Sequence, residues 1–210
     1  MAKLLYITCD LNPIERSRSL TVGSDFLNEY LRRNPKDEVN MLDLYRDNNQ
    51  RLDADVLSGF EKLRAGHHFA ALTSDEQRKI GRIWRRADQF VAADKYLFVA
   101  SVSDLGFPVE LRMYLDTVCV ANKTYHSASG GPEGLLKNQG RKCLMIHATK
   151  GPDFDEMETH SVSYLSSVMK FMGIDELETM AVQEYDTVPG ETGGCRDEET
   201  RKAVQHASRF

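Results

Sequence analysis

The sequence predicts an α/β fold built on a doubly wound parallel sheet, and three observations carry that prediction. Short apolar runs rich in β-formers, such as Tyr96-Leu97-Phe98-Val99-Ala100 and Cys143-Leu144-Met145-Ile146, read as strands buried on both faces. Between such runs lie segments whose apolar residues recur at helical spacing. Strands alternate with helices along the chain, which is the signature of a parallel sheet. The 210 residues suffice for one domain with a sizeable core. No linker or internal repeat divides them, so residues 1–210 are read as a single domain.

Lys3 to Thr8 is the first strand, and Cys9 to Arg16 a loop containing Asn12-Pro13. Ser17-Arg18-Ser19 precede a helix with apolar positions Leu20, Phe26, Leu27, Tyr30 and Leu31, stopped by Asn34-Pro35. Glu38 to Leu44 alternates as an outer strand, and Leu52 to Ala65 is a weakly amphipathic helix. Ser74 with Gln77 forms a capping box for a long helix reaching about Ala93, whose Trp84 and Phe90 pack inward. After the strand at 96–100, Ser101 to Phe107 breaks the pattern, and Pro108 suits the first position of the next helix. That helix, Val109–Ala121, carries Leu111, Leu115, Val118 and Cys119 on one face. Ser129-Gly130-Gly131-Pro132 closes a hairpin excursion within Tyr125–Leu136. The strand at 143–146 leads into a loop, Ala148 to Asp155, and then a helix marked by Val162, Leu165, Met169 and Met172 and ended by Gly173. Leu177 to Val182 is the last strand, and Glu198 to Ser208 a polar closing helix. Sheets of this kind bind ligands outside the carboxyl ends of their strands, so the loops that follow the strands are where function is sought.

Composition narrows the function. The net charge is −5 with no basic run, which speaks against a broad nucleic-acid surface. Cys9, Cys119, Cys143 and Cys195 are scattered without C-x-x-C pairing, and Cys119 and Cys143 fall on apolar positions, as reduced core residues do. The opening apolar run is too short for a signal peptide or a membrane span, so a cytoplasmic location is expected, with no membrane partner. His67-His68 lack a carboxylate or cysteine at ligand spacing, and no metal is expected.

Several stretches in order along the chain resemble the flavodoxin-like FMN-dependent NADH-azoreductases (NADH:quinone oxidoreductases). They are Leu111-Arg112-Met113-Tyr114-Leu115-Asp116-Thr117-Val118, Ala121-Asn122-Lys123-Thr124-Tyr125, Gly131-Pro132-Glu133-Gly134-Leu135-Leu136 and Phe171-Met172-Gly173-Ile174, together with Ser17-Arg18-Ser19, which is similar to the family's S-x-S element. The resemblance implies a flavodoxin-like, doubly wound, five-stranded parallel sheet of order 2-1-3-4-5. It also implies a homodimer with FMN at the subunit interface, NADH as electron donor, and a quinone or azo compound as acceptor in a ping-pong reaction. Carried onto this chain, the cofactor-binding positions are Asp10, Ser17, Arg18, Ser19, Val102, Ser103, Asp104, Leu105, Thr149, Lys150, Gly151 and Tyr125.

The chain departs from the family pattern in three loops. Ser101-Val102-Ser103-Asp104-Leu105 stands where the family reads PM-Y/W-N-F/L, so an aromatic is missing and an aspartate replaces an asparagine. Ala148-Thr149-Lys150-Gly151 stands for S-R/N-G-G, and Cys9-Asp10 for a serine before the S-x-S pair. A helix start favours a phosphate dianion, and the Ser17 and Ser19 hydroxyls can donate to it. The plain alternative is an ordinary serine N-cap. Asp10 opposes a phosphate: two unit charges ~4 Å apart repel by roughly 4 kcal/mol at an effective dielectric near 20. Asp104 offers only acceptors where an amide both donates and accepts. Backbone contacts from 102–105 survive such substitutions if the loop path does. Lys150 is a candidate catalytic cation for charge developing on the flavin, or a solvated loop lysine, and His147 a candidate proton donor, or a structural histidine. Tyr125 matches the family's aromatic near the flavin, or is a hairpin core residue. Two functions follow. One is an FMN-dependent NAD(P)H oxidoreductase acting on quinones or azo compounds. The alternative is a flavodoxin-like dimer with a lost or weakened flavin site and a non-redox binding role.

Overall fold

The computed structural model describes residues 1–101, 106–137, 140–149, 155–183 and 193–210. Its elements run β1 (Lys3–Cys9), α1 (Arg18–Arg33), β2 (Glu38–Asp43), α2 (Ala54–Arg64), α3 (Ser74–Val91), β3 (Lys95–Ser101) and α4 (Val109–Val118). They continue with β4 (Tyr125–Ala128), β5 (Gly131–Gly134), β6 (Lys142–Thr149), α5 (Asp155–Met172), β7 (Glu176–Gln183) and α6 (Gly193–Ala207). Five strands form one parallel sheet in the order β2-β1-β3-β6-β7, and β4 and β5 pair separately as an antiparallel hairpin.

Alternation along the central strands builds the two layers of core. Leu5, Ile7, Tyr96, Phe98, Cys143 and Met145 face α4 and α5 and pack with Tyr114, Leu115, Leu165 and Met169. Their neighbours Leu4, Tyr6, Leu97, Val99, Leu144 and Ile146 face the other way, onto Val22, Phe26 and Tyr30 of α1 and Ala203 and Ala207 of α6. Each large apolar side chain buried this way contributes ~1.5–3 kcal/mol. A smaller cluster of Val56, Ile83, Ala87 and Val120, with Phe60 and Trp84 against it, joins α2 to α3.

Boundaries differ from expectation where side chains intervene. The capping box of α3 is Thr73 with Glu76, one residue earlier than Ser74 with Gln77: Thr73 Oγ1 accepts from Glu76 N and Glu76 Oε2 accepts from Thr73 N. Pro108 takes the N-cap position of α4 instead of the first helical one. The helix stops at Val118, short of Ala121, because the buried Thr124 hydroxyl donates to Val118 O and accepts from Val120 N. Ala148 and Thr149 belong to β6 and not to a loop, in register with Val182 and Gln183. Gly173 does follow the last residue of α5, at φ +96°. The hairpin seats on that helix end, where a Cβ on Gly134 would stand 2.3 Å from the Met172 carbonyl carbon.

Candidate active site

Register fixes where the strands end. Cys9 pairs with Ala100, Ser101 with Ala148, and Thr149 with Gln183, so β1, β3, β6 and β7 all end along one edge of the sheet. The segments that follow them in the chain are 10–17, 102–108, 150–154 and 184–192. Val102, Ser103, Asp104, Leu105, Lys150 and Gly151 lie outside the described residues, and Thr149 closes β6.

At the end of β1 the geometry is complete. Ser17 caps α1, its Oγ accepting from Leu20 N at 3.1 Å, which meets one of the donors a helix start leaves without a carbonyl. The same hydroxyl donates to Asp10 Oδ2 at 2.7 Å. Ser19 Oγ stands 3.4 Å from that oxygen and 3.1 Å from Ser17 Oγ. Asp10 Oδ1 accepts from Asn12 N at 2.8 Å and Asn12 Nδ2 at 3.1 Å, an Asx turn that bends the loop back toward the helix. Asp10 is 8% exposed, Ser17 1% and Ser19 0%. The serines, the helix end and the burial fit a phosphate; the carboxylate already among them opposes one.

Arg18 leaves this cluster. Its Nη2 donates to Glu199 Oε2 of α6 at 2.6 Å, and Glu199 Oε1 accepts from Gln183 N at the end of β7 at 2.8 Å. The start of α1, the end of β7 and α6 are thereby joined. His147 sits inside β6 between Ala100 and Ala181, 1% exposed, so a solvent-borne molecule does not reach it in this conformation. Tyr125 packs its ring on Phe171 of α5, with centroids 4.8 Å apart.

Burial, then the Glu110 carboxylate, pushes Cys9 up to about 12, and burial pushes Cys119 up to about 11. Beside α4 lies a recess of about 310 Å³ lined by Arg51, Leu52, Val109, Met113 and Asp116, residues that sequence reasoning did not single out. Burial raises Asp116 above the ordinary carboxylate range. Val109, Met113 and Asp116 recur at helical spacing opposite Leu111, Leu115 and Val118, so a second stripe on this helix was the available signal.

Comparisons with known proteins decide what this edge belongs to. A family model described as a flavodoxin-like fold matches residues 2–207. An FMN-dependent NADH:quinone oxidoreductase from Geotalea uraniireducens is 57% identical over 210 residues, covering 100% of both chains. The chain belongs to the FMN-dependent NADH:quinone oxidoreductase family. Another member, from Trichlorobacter lovleyi, is 50% identical over 210 residues and again covers 100% of both chains. An FMN-dependent NADH-azoreductase from Bacillus anthracis, solved in complex with FMN, superposes with a TM-score of 0.88 at 27% identity, covering 100% of this chain and 99% of that one. The likeness in fold therefore extends over the whole of both chains.

Proposed function

We propose that this chain is an FMN-dependent oxidoreductase that takes electrons from NADH and passes them, two at a time, to a quinone or azo compound. The observation that carries the reading is 57% identity across the whole chain to a relative named for that activity. The lost-site alternative finds no support among the relatives. Bound FMN supplies a two-electron centre that can accept hydride from a nicotinamide and reduce a second substrate.

The chain's own residues have these parts. Ser17, Ser19 and the first N–H groups of α1 hold the phosphate. The positions assigned to the ring by family resemblance are Val102 to Leu105 after β3, Thr149 at the end of β6, and Lys150 and Gly151 after it, with Lys150 to offset negative charge on the flavin. His147, inside β6, is the candidate proton donor. Tyr125 borders the ring from the second copy of a homodimer. Support for a homodimer comes from apolar side chains left exposed around the recess and the hairpin: Val109 at 60%, Leu52 at 47%, and Leu135, Tyr164 and Phe171 at 37–38%. No helix among the described residues is long and apolar enough to cross a membrane.

The test is reconstitution with FMN followed by stopped-flow mixing with NADH alone. Bleaching of the flavin absorbance by NADH, and its return on adding a naphthoquinone or an azo dye, supports the reading. Flavin that binds but stays oxidised in the presence of NADH refutes it.

A further inference from the structure

We infer that Asp10 sets how strongly this chain holds the phosphate end of its flavin, acting as an internal carboxylate that competes for the donors at the start of α1. The inference rests on the flavin reading above and concerns one end of the cofactor only.

Each serine hydroxyl has a single proton to give. Ser17 directs its proton to Asp10 Oδ2 at 2.7 Å, while its lone pair accepts from Leu20 N. Ser19 Oγ lies within 3.4 Å of the same carboxylate oxygen. The pair of hydroxyls is therefore already turned toward an anion that belongs to the protein. A phosphate must draw those protons away and leave a buried carboxylate with fewer donors beside a second anion. Asp10 does not easily turn aside, because Oδ1 is tied to both nitrogens of Asn12.

Among the described residues, no lysine, arginine or histidine forms an ion pair with Asp10. Arg18, adjacent to both serines, is committed to Glu199 of α6. Burial, with Asp10 among the lesser causes, pushes Cys9 on β1 and Tyr45 after β2 upward toward their neutral forms, so neither offers a positive charge. Glu110 at the start of α4 and Asp43 at the end of β2 act on Cys9 as well and add negative charge. A flavin without its phosphate makes no demand on Ser17 or Ser19. Asp10 should therefore disfavour FMN while leaving riboflavin untouched, which makes it a residue that tunes cofactor specificity.

The experiment is flavin fluorescence quenching with FMN and with riboflavin, on the wild type, Asp10→Asn and Asp10→Ser. Asparagine keeps an oxygen for Ser17 without the charge; serine removes both the charge and the reach. Thermal melts confirm that each variant is folded, and the second variant serves if the first is not. Both variants are expected to tighten FMN by about tenfold or more, about 1.4 kcal/mol, and to move riboflavin by less than about threefold. FMN and riboflavin shifting together, or neither shifting in either variant, overturns the inference while leaving the flavin reading intact. Wild type and variants that bind neither flavin overturn both.

Discussion

Replacing Arg18 with Met tests whether the link between α1 and α6 is a structural keystone of the strand-end edge. The Arg18 and Glu199 side chains are 12% and 10% exposed, so their ion pair is largely desolvated. Removing one partner of such a pair leaves an uncompensated buried charge and costs ~3–5 kcal/mol. Two features place this case at the lower end. Glu199 keeps the Gln183 amide on its other oxygen, and Arg18 Nε is buried with no acceptor among the described residues, a penalty the substitution removes. We expect a loss of ~3 kcal/mol, equivalent to roughly 6–12 °C in Tm for a domain of this size.

Urea and thermal unfolding followed by circular dichroism measure it. A loss below ~1 kcal/mol refutes the reasoning, because the pair would then behave as a solvated surface contact. Arg18→Met combined with Glu199→Met should be much less damaging than the sum of the two single changes, since no unpaired charge remains. Simple additivity in that cycle would mean the two side chains are not coupled.

Other expectations follow from particular contacts. Lys62, the Thr73 amide and Ser58 hold the Glu76 carboxyl down to about 2, below the ordinary glutamate value, so its stabilisation is present above pH ~4.5 and lost as pH falls toward ~2. Glu76→Gln should flatten the loss of stability across that acid window, and an unchanged acid-unfolding profile would count against the assignment. Gly134→Ala drives a Cβ into backbone at the end of α5 and should cost ~1–3 kcal/mol in urea unfolding, with an unchanged midpoint excluding the close approach. Ser17→Ala with Ser19→Ala should weaken FMN by about tenfold or more in a fluorescence titration, because hydrogen bonds to a dianion are lost; unchanged affinity would make this helix start a cap only. Light scattering at micromolar concentration should give the mass of a dimer, and a monomer there would remove any role for Tyr125 across an interface.

The sheet was legible because burial on both faces leaves a simple mark. Runs such as 96–100 and 143–146 have no polar interruption, and only a doubly covered strand tolerates that. Helix faces were legible for the same reason. End points were less so, since they depend on single hydrogen bonds. Ser74-x-x-Gln77 and Thr73-x-x-Glu76 are equivalent as patterns, and the choice fell to Glu76 because its carboxylate also meets Lys62 and Ser58, which come from α2. Nothing local to α3 announces those partners. The recess beside α4 escaped for a related reason: Arg51 and Leu52 reach it from after β2, and only tertiary folding brings them to Met113 and Asp116. Asp10, Ser17 and Ser19 were singled out on sequence, but as a phosphate site with an obstructing charge. That the carboxylate and the hydroxyls satisfy one another depends on the loop doubling back through Asn12.

That mutual satisfaction changes what the loop asks of a ligand. A buried hydroxyl at a helix start needs somewhere to direct its proton, and in a site that depends on phosphate the empty protein carries that need unmet. Here Asp10 meets it from within the chain, so the loop, the cap and the first turn of α1 close on themselves. The ion pair from Arg18 to Glu199 then fastens the same turn to α6 and β7. The order of the 10–17 loop and the start of α1 therefore comes from their own contacts, and a flavin phosphate adds to an arrangement already made. Where a ligand completes a fold, its binding energy is partly consumed in ordering the chain; where the fold is complete, that energy is free for the ligand but is diminished by the contacts it must displace. At the start of α1 the second case holds, and the displaced contact is the Ser17 to Asp10 hydrogen bond.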